Sequence, residues 1–149
     1  MTEAEVDILI RGTTKTIVGD IPWAEDEDHS ACREFRVEVT TAAAYPLFIV
    51  GSTNPRAQAL SFSLILRPVG RIYSLDIGKE HHNPRCNMVG ETHKHRWTDM
   101  WRDKDAYAPT DITASANEPI LAWNQFCAEA GIVHVGVLLD PPVEQLEIR

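Results

Sequence analysis

The 149-residue chain has the composition of an ordinary globular protein, with 44% hydrophobic and 24% charged residues. A chain of this length buries a sizeable core in one domain. We therefore expect one α+β domain over residues 1–149, with a helix and an acidic loop in 1–34 and the sheet in 35–139. No stretch approaches the roughly 18 apolar residues that cross a bilayer, and the acidic N-terminus is unlike a secretory signal. These features predict a cytoplasmic protein with no membrane partner.

The net charge of −8 comes from 14 basic and 22 acidic residues. Broad binding to nucleic acid requires many Lys and Arg contacts to phosphates, so this balance argues against it. A local basic patch remains a candidate, because five cations fall within twenty residues: Arg85, Lys94, Arg96, Arg102 and Lys104. The three cysteines are widely spaced and odd in number, which favours free thiols over a disulfide framework.

The first half of the chain predicts one helix followed by strands. Thr2 and Glu5 form a capping box for a helix that ends near Gly12. Residues 22–30 are expected to form a loop. Alternating apolar residues predict strands over 35–39, 47–50 and 60–67, and the turn residues 68–70 join the last of these to a return strand over 71–77.

The second half predicts a polar loop over 78–88 and a short strand over 92–97. Asn117 is the expected N-cap of a helix over 118–130 that carries Pro119 in its first turn, with Gly131 as its terminator. A final strand is expected over 132–139. Strands without regular βα alternation indicate an α+β fold, mainly an antiparallel sheet with one or two packed helices.

Four of the six histidines lie within fifteen residues: His81, His82, His93 and His95. Residues two apart on a strand share a face, so His93 and His95 present two imidazoles side by side. We expect them to converge with Asp76 and His81, and at least one imidazole to hydrogen-bond a carboxylate or a backbone carbonyl. These four residues are candidate ligands for zinc, although their spacing matches no standard motif.

Two other interpretations of the same residues remain open. His93, His95 and His81 are candidate catalytic groups for cleavage of a phosphodiester, with Arg85 and Arg96 stabilising the developing charge. The net charge of −8 argues against that chemistry. Alternatively, the histidines and Asp76 form a structural polar network, which is the commoner role of such groups.

Four motifs in this region resemble a bacterial family of domains of unknown function. They are Leu75-Asp76-Ile77-Gly78, His81-His82-Asn83-Pro84, Thr92-His93-Lys94-His95 and Asp103-Lys104-Asp105-Ala106-Tyr107, against L-D-I-N-G, H-x-N-P, H-x-H and D-K-W-A-Y in that order. This chain lacks the Asn before Gly78, and Asp105 replaces an aromatic residue. The resemblance covers about residues 60–123, and the first third of the chain does not contribute. It implies a shared polar feature of Asp76, His81, Asn83, His93 and His95.

The sequence therefore predicts a small protein with a polar site rich in His and Asp. The expected binding residues are Asp76, His81, Asn83, Arg85, His93, His95 and Arg96. The preferred function is a binding or interaction module, and the alternative is a hydrolase that acts on a phosphodiester with a metal or with histidines alone. Neither the partner nor the oligomeric state follows from the sequence.

Overall fold

A computed structural model describes residues 1–25, 32–42, 45–78, 81–82 and 88–142, and of 81–82 and 88–89 it describes the backbone only. The helices in these ranges are α1 (Glu3–Arg11) and α2 (Pro119–Ala130). The strands are β1 (Lys15–Val18), β2 (Ala24–Glu25), β3 (Arg33–Val39), β4 (Leu47–Asn54), β5 (Ala59–Leu66), β6 (Gly70–Ile77), β7 (His81–His82), β8 (Met88–Val89), β9 (His93–Thr98), β10 (Arg102–Tyr107) and β11 (Ile132–Val135).

The main sheet has seven strands within the described ranges, in the order β10-β9-β6-β5-β4-β3-β2. Every neighbouring pair in it is antiparallel. The α+β class with a mainly antiparallel sheet is therefore confirmed. Across the described part of the chain, neither helix has the length and apolar character needed to cross a membrane.

Most predicted elements appear close to their expected bounds. The capping box of Thr2 and Glu5 starts α1, and β5 and β6 form the expected hairpin. The strand expected over 92–97 is β9, and Gly131 ends α2 in the left-handed conformation with φ of 67°. That conformation favours glycine because it has no Cβ.

Several details of the secondary structure differ from the expectation. The N-cap of α2 is Glu118 rather than Asn117. The predicted loop over 78–88 contains β7 and the start of β8. Residues 24–25 of the predicted loop over 22–30 form β2, and residues 26–30 lie outside the described residues. The final strand ends at Val135 and pairs in parallel with β1 in a separate sheet. Strands β1 and β10 were not anticipated, because one is very short and the other is mostly charged.

One face of the main sheet carries the aromatic core beneath α2. Trp123 and Phe126 of α2 lie with ring centroids 5.2 and 5.7 Å from that of Phe62 on β5. Phe35 of β3 covers Gly51, the position on the neighbouring strand β4 that has no side chain. Aromatic and apolar packing of this kind stabilises the fold by removing large surfaces from water.

The opposite face of the sheet is polar near β5 and β6. Ser61 and Ser63 alternate with the core residues of β5, and Ser74 and Asp76 do so on β6. Because paired residues of antiparallel strands point to the same side, these four side chains share one face. The sheet thus separates an apolar side under α2 from a polar side that carries the candidate site.

We expect Trp123→Ala to lower the free energy of unfolding by roughly 3–5 kcal/mol, since it removes a buried aromatic ring from the centre of the core. The variant also removes the hydrogen bond from the indole Nε1 to His134. Urea denaturation measures the change. Leu121→Ala, at an exposed position of the same helix, is the control and should stay within about 0.5 kcal/mol of the parent. Equal losses in the two variants would contradict this placement of the core.

Candidate metal centre

The register between β6 and β9 places the candidate residues opposite one another. Asp76 pairs with His93, and Ser74 pairs with His95. The row continues across β5, where Ser61 pairs with Asp76. All of these side chains therefore project from the polar face of the sheet. Asp76, His93 and His95 come together as the sequence led us to expect, whereas the side chain of His81 lies outside the described residues.

The two imidazoles point at one carboxylate oxygen. His93 Nε2 lies 3.2 Å and His95 Nε2 lies 3.1 Å from Asp76 Oδ2. The ring centroids are 5.0 Å apart, and one potential ligand atom from each of the three residues lies within 4.8 Å of the others. The exposed fractions are only 6% for Asp76, 2% for His93 and 3% for His95. Burial of three polar side chains to this depth is costly unless their charges are balanced and their hydrogen bonds are made.

The second nitrogen of each ring contacts a backbone carbonyl. His93 Nδ1 lies 3.1 Å from the oxygen of Gly90, and His95 Nδ1 lies 2.9 Å from that of Asp103. A carbonyl oxygen only accepts, so each Nδ1 carries a proton and donates it. Arg71 Nη2 also lies 3.4 Å from His95 Nδ1, but the contact to the carbonyl is shorter and determines the tautomer. Both imidazoles therefore donate a hydrogen bond to a backbone carbonyl, as the sequence predicted for at least one of them.

A neutral ring cannot satisfy both of its contacts. With the proton on Nδ1, each Nε2 presents a lone pair, and that lone pair faces the negative oxygen of Asp76 at 3.1–3.2 Å. Two acceptors at this distance repel each other. The arrangement becomes favourable when each Nε2 binds a second proton or when a cation lies between the nitrogens and the carboxylate. Among the contacts of the described residues, added positive charge would therefore stabilise the site.

Asp76 supplies a fixed anion at the centre of the site. Burial alone would raise the pKa of Asp76, but hydrogen bonds from His93 and His95, each of which requires a proton on Nε2, and from Ser61 outweigh it and hold the pKa well below its usual range. Ser61 Oγ donates to Asp76 Oδ1 at 2.5 Å. That bond occupies one carboxylate oxygen and leaves Oδ2 directed at the two imidazoles.

A bulge at the start of β10 positions the carbonyl that holds His95. The register of β9 and β10 shifts between Arg102 and Asp105, and Arg102 has a positive φ of 54°. Asp103 lies in this bulge, so its carbonyl is turned out of the regular ladder toward the ring. Arg71 Nε donates to Asp103 Oδ2 at 2.9 Å and keeps the bulge against β6. Neither contact has a signal in the sequence, because both depend on the tertiary pairing of strands.

Arg96 lies on the other side of the sheet from the histidines. Its Nε donates to Asp105 Oδ2 at 2.9 Å, and its guanidinium lies 5.4 Å from the centroid of the Tyr107 ring. The period of two along β9 explains this placement, since residue 96 alternates with residue 95. Of the other expected binding residues, His81 is described only as part of β7, and Asn83 and Arg85 lie outside the described residues.

Lys94, between the two histidines, forms an ion network on the α2 side with two partly exposed carboxylates. Its ammonium is fully buried and lies 2.8 and 2.6 Å from the two oxygens of Asp111, and it also contacts Glu129 of α2. Burial lowers the pKa of Lys94, while the contact with Asp111 acts in the opposite direction. Sequence analysis placed Lys94 only in a basic patch, since burial of a lysine has no sequence signature.

Comparison with known proteins identifies the family. A model of a family of unknown function (DUF6978) matches residues 1–132. The chain belongs to this family. The match starts at residue 1, so the family extends over α1 and β1 and is wider than the resemblance seen over residues 60–123. No curated protein and no solved structure matches the chain.

The lowered pKa of Asp76 predicts a specific pH dependence of stability in the metal-free protein. Its folded pKa lies below the unfolded value of about 3.9, so the ionised carboxylate stabilises the fold above that pH and this contribution is lost as the pH falls below it. Asp76→Asn removes the contribution. The difference in free energy of unfolding between the parent and this variant should therefore shrink from pH 5 to pH 2.

Urea denaturation in the presence of a chelator, at several pH values, measures that difference. Asp7→Asn on the exposed side of α1 provides the baseline for loss of one carboxylate. A difference between the parent and Asp76→Asn that stays constant over this range would show that Asp76 is not the stabilised anion of the site.

Proposed function

We propose that the chain binds one divalent transition-metal ion, with zinc as the first candidate, through His93 Nε2, His95 Nε2 and the carboxylate of Asp76. The observation that carries the proposal is the pair of Nε2 atoms directed at one carboxylate oxygen while both Nδ1 atoms donate to carbonyls. Metal-ligating histidines characteristically donate their other ring nitrogen to such an acceptor. The tautomer that the backbone imposes is the one that a metal ligand needs.

The distances between the ligand atoms support this proposal. Zinc binds His nitrogen and Asp oxygen at about 2.0–2.2 Å, so neighbouring ligand atoms of a tetrahedral ion lie roughly 3.3 Å apart. The observed distances from Asp76 Oδ2 to the two Nε2 atoms are 3.2 and 3.1 Å. Oδ2 and each Nε2 therefore already have the spacing of two neighbouring ligands of one zinc ion.

The charge of the site favours a metal ion over two added protons. Protonation of both rings creates two imidazolium cations with centroids 5.0 Å apart in a nearly solvent-free environment. A third cation, the guanidinium of Arg71, lies 3.4 Å from His95 Nδ1. A divalent ion places the same added charge at one point, where the two lone pairs and the carboxylate of Asp76 bind it directly.

The same geometry disfavours cleavage of a phosphodiester by histidines alone. That mechanism needs two imidazoles that reach the substrate, one to take a proton and one to give it. His93 and His95 are 2% and 3% exposed and face a single carboxylate. Arg96, the described arginine that was expected to stabilise the phosphate, lies on the opposite face.

Metal analysis of the purified protein tests the proposal. We expect close to one equivalent of zinc, or one equivalent after reconstitution of chelator-treated protein. His93→Gln, His95→Gln and Asp76→Asn each remove one ligand. Each should weaken zinc affinity by more than the roughly 10–100-fold that is typical for loss of a group supporting a metal ligand. Competition with a chromophoric chelator measures the affinity.

His134→Gln is the control variant, since this histidine bonds Trp123 and the carbonyl of Gly19 in a different part of the fold. It should bind zinc as the parent does, provided that circular dichroism shows it to be folded. His81→Ala adds a separate comparison, because a large loss of affinity there would make His81 a fourth ligand. Parent protein that binds no zinc, cobalt or iron after reconstitution would contradict the proposal.

A further inference from the structure

A buried hydroxyl without a partner lies beside the candidate metal centre. Ser74 is 0% exposed, and its Oγ has no hydrogen-bond partner among the described residues. An isolated buried hydroxyl is costly, and native proteins rarely leave one unless a water molecule, an ion or a ligand completes it. The position of Ser74 indicates which of these partners is missing.

Ser74 lies on the polar face between the ligand residues. It pairs across the strands with His95 on one side and with Ser63 on the other, and it precedes Asp76 by two residues. Side chains opposite one another in antiparallel strands have Cβ atoms about 4.5–5.5 Å apart. The hydroxyl is therefore a direct neighbour of the imidazole that would bind the ion, with the carboxylate ligand next along the same strand.

We propose that a solvent molecule, water or hydroxide, binds the metal ion as an exchangeable ligand and is hydrogen-bonded by Ser74 Oγ. This inference rests on the proposed metal site. The described residues supply three protein ligands. A zinc ion held by three protein ligands takes its remaining position from solvent or substrate in catalytic sites, whereas structural sites are closed by four protein ligands, so a fourth ligand from His81 would overturn this inference. The water gains the two or more polar partners that a buried water needs, and Ser74 gains the partner it lacks.

The ligand class for this position is a small oxygen donor. His93, His95 and Asp76 are at most 6% exposed, so the centre admits a solvent-sized group more readily than a segment of polymer. Zinc lowers the pKa of a bound water to about 7, which makes it a nucleophile at neutral pH. Zinc held by His93, His95 and Asp76 would supply such a water, and Ser74 would orient it, as a metal-dependent hydrolase of small substrates requires.

Cobalt-loaded protein tests for the bound solvent directly. Chelator-treated protein is reconstituted with one equivalent of Co²⁺, and its low-temperature electron paramagnetic resonance spectrum is recorded in ordinary water and in water enriched in ¹⁷O. We expect the enriched sample to show broadened lines, because the ¹⁷O nucleus couples to an electron spin only when the oxygen binds the metal. Unbroadened lines in protein that holds Co²⁺ would overturn this inference and leave the metal site intact.

The variant Ser74→Ala tests the role of the hydroxyl. We expect its Co²⁺ affinity to fall by about three- to tenfold, the loss of one ordinary hydrogen bond in the loaded state. The metal-free variant should be at least as stable as the parent, since it no longer buries an unpaired hydroxyl. Ser63→Ala, the neighbour of Ser74 on the same face, is the matched control and should leave the affinity unchanged.

Two outcomes separate the failure of this inference from the failure of the metal site. If Ser74→Ala lowers metal-free stability but leaves Co²⁺ affinity at the parental value, Ser74 is a structural residue and the inference is wrong. If the parent protein binds neither Co²⁺ nor zinc, the proposed function itself fails, and the solvent ligand fails with it.

Discussion

The pairing of β6 with β9 is the constraint on which the candidate site depends. It sets Asp76 opposite His93 and brings His95 within reach of the same carboxylate oxygen. Because side chains alternate along a strand, a shift of one residue would move both histidines to the opposite face of the sheet. The three side chains therefore come together through strand register, and no sequence motif of fixed spacing is needed.

Both faces of β9 oppose such a shift. Lys94 projects to the side of α2, where its buried ammonium contacts Asp111 and Glu129. Moving Lys94 to the polar face would leave these two carboxylates without their cation and would add a positive charge beside the histidines. Only the ammonium of this network is fully buried, and a buried charge that loses its partners is destabilising. The ion network under α2 and the histidines on the other face thus specify the same register.

The sequence predicted those parts of the fold that follow from local periodicity. The alternation in 60–77 identified the hairpin of β5 and β6, and Gly131 marked the end of α2. The sequence did not reveal that β11 lies outside the main sheet and pairs with β1, because the partner of a strand depends on contacts between residues that are distant in sequence. Strand β10 was missed because its charged residues R-D-K-D do not alternate with apolar ones.

The candidate site was predictable only as far as residue type and period allow. The chemistry of His93, His95 and Asp76 and the spacing of two along β9 brought these residues into one hypothesis. The same period of two already separates Arg96 from His95, so its place on the other face was implied by the sequence. The supporting groups were not predictable, because the carbonyls of Gly90 and Asp103 exist at every residue and become specific only through folding.

The two carbonyls also couple the site to the segments that flank it. Gly90 directly follows β8 and lies three residues before His93, and Asp103 lies in the bulge that opens β10, where it is held by Arg71. Each fixes a proton on one imidazole and thereby directs a lone pair toward Asp76. In the absence of added charge this arrangement is repulsive, and the repulsion opposes the very contacts that position these segments. A cation bound as proposed would convert the repulsion into attraction, and its binding would then stabilise the position of these segments.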